Sequence, residues 1–145
     1  MKLKVYVAGA IRGDRRFIES YRGLISHVEA RTDCEALAEM SLVGRGEKLE
    51  DDAAIYARDR GWLDRAQVMV AEISAPSLGV GYEIAYALHV RKIPVLALKH
   101  ASVKRSSAML EGNDSPLFEI QTYRSESELL EHTDRFIETH SRRRQ

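Results

Sequence analysis

Two stretches of the chain, Gln67-Val-Met-Val-Ala-Glu-Ile73 and Ile93-Pro-Val-Leu-Ala-Leu98, are apolar at nearly every position, and they limit the fold more than any other feature. A strand with one wet face alternates apolar and polar side chains. A continuous apolar run of strand length, rich in Val, Ile and Leu, instead fits a sheet covered on both faces. Pro94 is compatible with this because it falls at the start of its run, where no ladder hydrogen bond is lost.

The rest of the chain supplies the cover. Leu3-Lys-Val-Tyr-Val-Ala8 reads as a first strand ended by Gly9, and Leu117-Phe-Glu-Ile-Gln-Thr-Tyr123 alternates as a last one. Thr32 to Leu37 gives a weaker strand signal. Between them lie helical patterns. Arg15 to Arg31 places Phe17, Tyr21, Leu24, Ile25 and Val28 on one face, and Asp51 to Ala66 does so with Ala54, Ile55, Trp62 and Leu63. Tyr82 to Arg91 and Glu126 to Thr139 complete the set. Leu42 to Glu50 and Ser74 to Gly81 read as loops, and Lys99 to Pro116 as an irregular polar stretch with one helical turn near Ser107 to Leu110. Strands alternating with helices imply right-handed crossovers and a doubly wound, five-stranded parallel sheet with helices on both faces. This is a flavodoxin- or Rossmann-like α/β fold, with strand order 2-1-3-4-5 expected. Residues 1–140 are expected to form a single domain, followed by a basic tail at 141–145.

Composition narrows the function classes. Lys+Arg and Asp+Glu are 22 each, so no net field favours a nucleic-acid polymer or a membrane surface. The one cysteine, Cys34, rules out an internal disulfide framework and reads as a small core residue. The five histidines lack metal-ligand spacing. The N-terminus runs directly into a strand, without a signal-peptide pattern, and no apolar run reaches the ~20 residues that span a bilayer. A cytoplasmic location is expected.

In a 2-1-3-4-5 sheet the crevice opens at the C-terminal ends of strands one and three. Two glycine-marked loops face each other there: Gly9-Ala-Ile-Arg-Gly13 and Ser74 to Gly81. The first is neither a Walker loop nor a dinucleotide fingerprint, but its glycines and the following helix start can admit an anion, with Arg12 between them. In the second, Ser77 can bind a phosphate or cap a helix, and Gly79 and Gly81 leave room for a ligand. Glu83 then arrives in the first turn of a helix, where the dipole favours the carboxylate. Asp59, flanked by Arg58 and Arg60, offers a second carboxylate, and Tyr6 a hydroxyl. Paired carboxylates of this kind suit glycosidic-bond cleavage. Each residue also has a plainer role open to it: Glu83 as a dipole partner, Asp59 as a surface ion pair, Arg12 as a solvated side chain, Tyr6 as a strand aromatic.

Taken together, Tyr6-Val-Ala-Gly-Ala-Ile-Arg-Gly13, Asp59-Arg-Gly-Trp-Leu-Asp-Arg-Ala66 and Val70-Ala-Glu-Ile-Ser-Ala-Pro-Ser-Leu-Gly-Val-Gly-Tyr-Glu83 resemble the nucleoside 2-deoxyribosyltransferase superfamily. Within it they are most similar to the 2'-deoxynucleoside 5'-phosphate N-hydrolases, and the likeness extends through nearly the whole chain. It implies a nucleophile at Glu83, a supporting Asp59 and an orienting Tyr6. It places substrate binding at Gly9, Ile11, Arg12, Gly13, Ser77 and Gly79, with Ser107 and Met109. Ser107 would come from the neighbouring subunit of a homodimer. The implied reaction releases a free base and 2-deoxyribose 5-phosphate through a covalent glutamyl intermediate, with no metal or cofactor.

Two positions depart from the family pattern. Ala10 stands where a serine is common, and Met40 where a histidine often covers the base. They bear on the phosphate and on base preference. Transfer of the deoxyribose to a second base is the alternative reaction, and non-catalytic nucleotide sensing the alternative role.

Overall fold

The computed structural model of the chain describes residues 1–39 and 51–145. The expected loop at 42–50 and Met40 lie outside the described residues. Five strands form one parallel sheet: β1 (Leu3–Ala8), β2 (Cys34–Leu37), β3 (Val68–Glu72), β4 (Val95–His100) and β5 (Phe118–Tyr123). Their order is β2-β1-β3-β4-β5, the order the strand–helix rhythm predicts. The helices are α1 (Ile18–Ala30), α2 (Asp52–Arg65), α3 (Leu78–Ala85), α4 (Ala108–Glu111) and α5 (Glu126–Arg142).

Each side of the sheet has its own core. Leu3, Val5 and Val7 of β1, Val68 and Val70 of β3, and Leu96 and Leu98 of β4 pack against Tyr21, Leu24, Ile25 and Val28 of α1 and Leu129, Phe136 and Ile137 of α5. On the opposite face Tyr6, Ala8, Met69, Ala71, Val95 and Ala97 meet Leu63 of α2 and Val80 and Ile84 of α3. This two-sided burial is why β3 is apolar up to Glu72 and β4 up to Lys99, each fully buried large side chain contributing roughly 1.5–3 kcal/mol. The residues paired across the top of the second face are all alanines: Ala8 with Ala71, and Ala71 with Ala97. Short side chains in that row let α3 settle low over the ends of the strands.

Local chemistry sets the helix bounds. The Asp14 carboxylate accepts from Arg16 N–H at 3.0 Å and Arg15 carbonyl from Ile18 N–H at 3.1 Å. Residues 14–17 therefore form a turn, and α1 starts at Ile18 rather than Arg15. Asp51 caps α2 by accepting from Ala54 N–H at 2.7 Å, and Ser125 caps α5 by accepting from Glu128 N–H at 3.2 Å. α5 continues to Arg142 rather than ending at Thr139, so it enters the stretch expected as a tail. Helix α3 runs on into a π-helical turn, Tyr86–Arg91, closed by Lys92 in the left-handed conformation (φ 53°). The chain then has to reverse before Pro94, and β4 starts at Val95, two residues later than the apolar run begins.

Gly9 ends β1 for a steric reason. A Cβ there would lie 2.4 Å from Tyr21 Cδ2 and 2.6 Å from Cγ. The phenol ring, itself buried, passes directly over the backbone. Gly9→Ala is expected to lower stability by roughly 1–3 kcal/mol, the usual cost of overpacking. Denaturant unfolding of the two proteins side by side measures it, and equal midpoints would contradict the packing account.

Candidate active site

Helix α3 begins earlier than its sequence pattern implies, because Ser77 Oγ accepts from Val80 N–H at 3.2 Å and fixes the first turn at Leu78. Gly79 and Gly81 thus lie within the helix, and Glu83 in its second turn. The pull of the macrodipole falls off within the first turn, so burial decides the state of this carboxylate. Its pKa is raised to about 7: desolvation pushes it up, the hydrogen bond from Tyr6 pulls it down, and the charge of Asp59 pushes it up again. Glu83 thus lies beyond the first turn, in which the dipole was expected to favour its carboxylate form. Tyr6 reaches it from β1, donating its hydroxyl to Glu83 Oε2 in a short hydrogen bond. The same burial and the neighbouring carboxylates raise the Tyr6 phenol far above its ordinary value, so it acts as a donor.

Asp59 faces the same space, from the side of α2 and not from its end. Asp52, Ile55, Asp59 and Leu63, spaced three and four residues apart, line one wall of a cavity of about 410 Å³. Arg12, Gly79 and Glu83 line other parts of it. Asp59 is not a solvated surface ion pair. Its side chain is 16% exposed, and Arg58 Nε donates to Asp59 Oδ1 at 3.1 Å. Arg58 also donates from Nη2 to Glu39 Oε1 at 2.5 Å, while its guanidinium stacks 5.0 Å from the Trp62 ring. Glu39 comes within hydrogen-bonding reach of Asp59, and burial together with Asp59 raises its pKa to about 8 against the pull of Arg58. Glu39 follows a weakly patterned strand and has no spacing relation to Asp59 or Glu83, so the sequence does not single it out. Only the pairing of β1 with β2 brings it to the crevice.

The expected substrate-binding residues divide into three groups. Arg12 and Gly79 line the cavity with Glu83. A Cβ at Gly79 would lie 3.9 Å from both Glu83 Oε1 and Ser77 Oγ, so this glycine borders the open space between them. Arg12 donates to Asp52 at 2.9 Å in an exposed ion pair at the rim. Ser77, Ser107 and Met109 line a second, adjoining cavity of about 680 Å³, which shares Leu78 with the first. Ser107 caps α4, its Oγ accepting from Met109 N–H at 3.1 Å. Gly9, Ile11 and Gly13 line neither cavity. Gly9 accommodates Tyr21, Ile11 packs against the core, and a Cβ at Gly13 would meet nothing within 4 Å.

A further network fixes the loop that leads to Ser77. The buried Glu72 side chain accepts from Ser74 N–H at 2.6 Å, from Ser74 Oγ at 2.9 Å and from the Tyr123 hydroxyl. Ser74 Oγ in turn accepts from His100 N–H at 2.8 Å. The ends of β3, β4 and β5 are joined by this cluster, which burial would otherwise make costly.

No protein-family model matches the chain. It is 43% identical over 117 residues to a Syntrophotalea carbinolica protein named as a 2'-deoxynucleoside 5'-phosphate N-hydrolase, covering 77% of this chain and 79% of that one. It is 34% identical over 140 residues to the 5-hydroxymethyl-dUMP N-hydrolase of Danio rerio, covering 94% and 97%. Among solved structures, a CMP N-glycosidase from Clostridium botulinum has the same fold, with a TM-score of 0.68, 16% identity and coverage of 92% and 98%. These relatives place the chain among enzymes that hydrolyse N-glycosidic bonds. The chain belongs to the family of 2'-deoxynucleoside 5'-phosphate N-hydrolases.

The perturbed carboxylate has a consequence for stability. Unfolded, Glu83 ionises near 4.5; folded, it does so near 7. The folded state therefore bears a cost that grows as pH rises from about 4.5 through about 7 and stays constant above. Glu83→Gln removes the charge but keeps the shape. It is expected to match the parent below pH 4.5 and to exceed it by on the order of 2–3 kcal/mol above pH 8. Chemical unfolding at the two pH values measures the gap, and a gap that fails to widen contradicts the assignment.

Proposed function

We propose that this chain hydrolyses the N-glycosidic bond of 2'-deoxynucleoside 5'-monophosphates, releasing the free base and 2-deoxyribose 5-phosphate. The observation that carries this reading is the Glu83 carboxylate, held by Tyr6 at the wall of a cavity that Asp59 also lines. In its ionised form Glu83 attacks C1' and forms a glycosyl ester. Asp59 assists departure of the base and then activation of the water that frees the sugar. Tyr6 aims Glu83 and limits the protonated fraction at neutral pH, since its hydrogen bond favours the charged form.

Arg12 and Ser77 receive the 5'-phosphate. The exposed Arg12–Asp52 pair is worth less than about 1 kcal/mol, so a phosphate dianion can take the guanidinium from Asp52. Ala10 brings no hydroxyl to this loop, which leaves Arg12, Ser77 and main-chain N–H groups as the donors. Ser107 and Met109 complete the site from a second copy of the chain. In support, Leu78 and Met109 are 97% and 82% exposed beside the larger cavity, a surface that a partner copy would cover. Residues 1–140 act as one unit. A cytoplasmic setting agrees with a single, buried cysteine.

Incubation with the four deoxynucleoside monophosphates, with and without an added acceptor base, tests the reaction. The expected products are free base and sugar phosphate in both arms; a new nucleotide in the second arm would make the enzyme a transferase, and intact substrate would make it a binding protein. Glu83→Ala is expected to lose at least about 1,000-fold in kcat. Arg12→Ala and Ser77→Ala are each expected to raise KM for the monophosphate by about tenfold or more, and KM for the matching nucleoside by much less. Equal effects on both would remove these residues from the phosphate site.

A further inference from the structure

The Arg58 guanidinium contacts two carboxylates at once, through Nη2 to Glu39 Oε1 at 2.5 Å and through Nε to Asp59 Oδ1 at 3.1 Å. Both carboxylates are largely buried, with Glu39 12% and Asp59 16% exposed, and they lie within hydrogen-bonding reach of each other. A carboxylate is only an acceptor; a hydrogen bond between two of them requires a proton on one. One guanidinium offsets one negative charge, and two ionised carboxylates would put a second one into the same largely buried space. The other groups facing it reinforce the point. Glu83 on α3 adds a further carboxyl group, and the Tyr6 and Tyr21 phenols from β1 and α1 are held neutral by burial and by the carboxylates around them.

We propose that Glu39 is the proton reservoir of the active site, a positioning residue that acts on the substrate only through Asp59. The inference rests on the glutamyl mechanism above. As Glu83 bonds to C1', the C1'–N bond breaks and its electron pair leaves with the base. The base takes a proton from Asp59, and Asp59 takes the proton of Glu39. Water then attacks C1', the bond from C1' to the Glu83 oxygen breaks, and Glu83 regains its negative charge. The proton that water gives up returns to the Asp59–Glu39 pair. The pair thus gives one proton in the first step and regains one in the second, which restores the starting state. Arg58, braced by Trp62, fixes the two carboxylates in the geometry this exchange needs.

A pair that shares a single proton titrates as a unit. With Glu39 near 8, that proton is present at neutral pH and is lost as pH rises through about 8; Glu83 near 7 must lose its own. Activity of the parent is therefore expected to rise through about pH 7 and fall through about pH 8. Glu39→Gln keeps a donor toward Asp59 but can release no proton. On a deoxynucleoside monophosphate its kcat is expected to fall about 100-fold, with the high-pH fall abolished and KM little changed. On 4-nitrophenyl 2-deoxyriboside 5-phosphate, whose leaving group departs without a proton, the loss is expected to be less than about tenfold. That second substrate also reports that the variant is folded. Equal losses on the two substrates, or an unchanged pH profile, would overturn the assignment. Failure of the parent to release any base would overturn the hydrolase reading, and this one with it.

Discussion

The hydrogen bond from Tyr6 to Glu83 joins the first strand to the third helix, two parts of the chain 77 positions apart, and the site depends on it. The phenol stands on β1, a strand buried on both faces, so its position is set by the sheet. Glu83 stands on a helix that could rotate or slide, but the alanine row of Ala8, Ala71 and Ala97 brings that helix close enough for the bond to form. A carboxylate drawn out of water in this way would ordinarily stay protonated near neutrality. One well-placed donor moves the balance back toward the charged form. The bond therefore orients the group and sets its charge together.

Around that bond the carboxylates of Glu39, Asp59 and Glu83 crowd together, with the Arg58 guanidinium held between the first two. Their mutual repulsion is not a defect of the packing. Groups with ordinary acidity would be fully ionised at neutral pH and unable to exchange protons. Burial and like charge bring Glu39 and Glu83 into the range where they can. The cost appears as lost stability, which buried cores on both sides of the sheet offset.

The fold was legible because its signal is spread over many residues. Continuous apolar runs can be satisfied only between two layers of helices, and the strand order followed from the alternation. Glu83 and Asp59 were singled out through the motifs around them. What the sequence concealed was tertiary. Glu39 adjoins the Met40 position but has no spacing relation to Glu83, and owes its place to the pairing of β1 with β2. The upward shift of the Glu83 carboxyl was not visible locally, because Ser77 caps the helix earlier than the glycines imply and burial then outweighs the dipole. Gly9 marks the first loop in the sequence, and a ring from α1 gives it a steric reason that only the packing reveals.

That ring belongs to Tyr21, in sequence one apolar position of a helix. It lies over Gly9, its hydroxyl donates to the Val7 carbonyl at 3.4 Å, and its oxygen faces the backbone N–H of Glu39. The loop on one side of the crevice and the carboxylate pair on the other thus lean on the same side chain. A structural beam in the hydrophobic core sets the spacing of two functional walls, so substitutions that never meet the substrate can retune the chemistry.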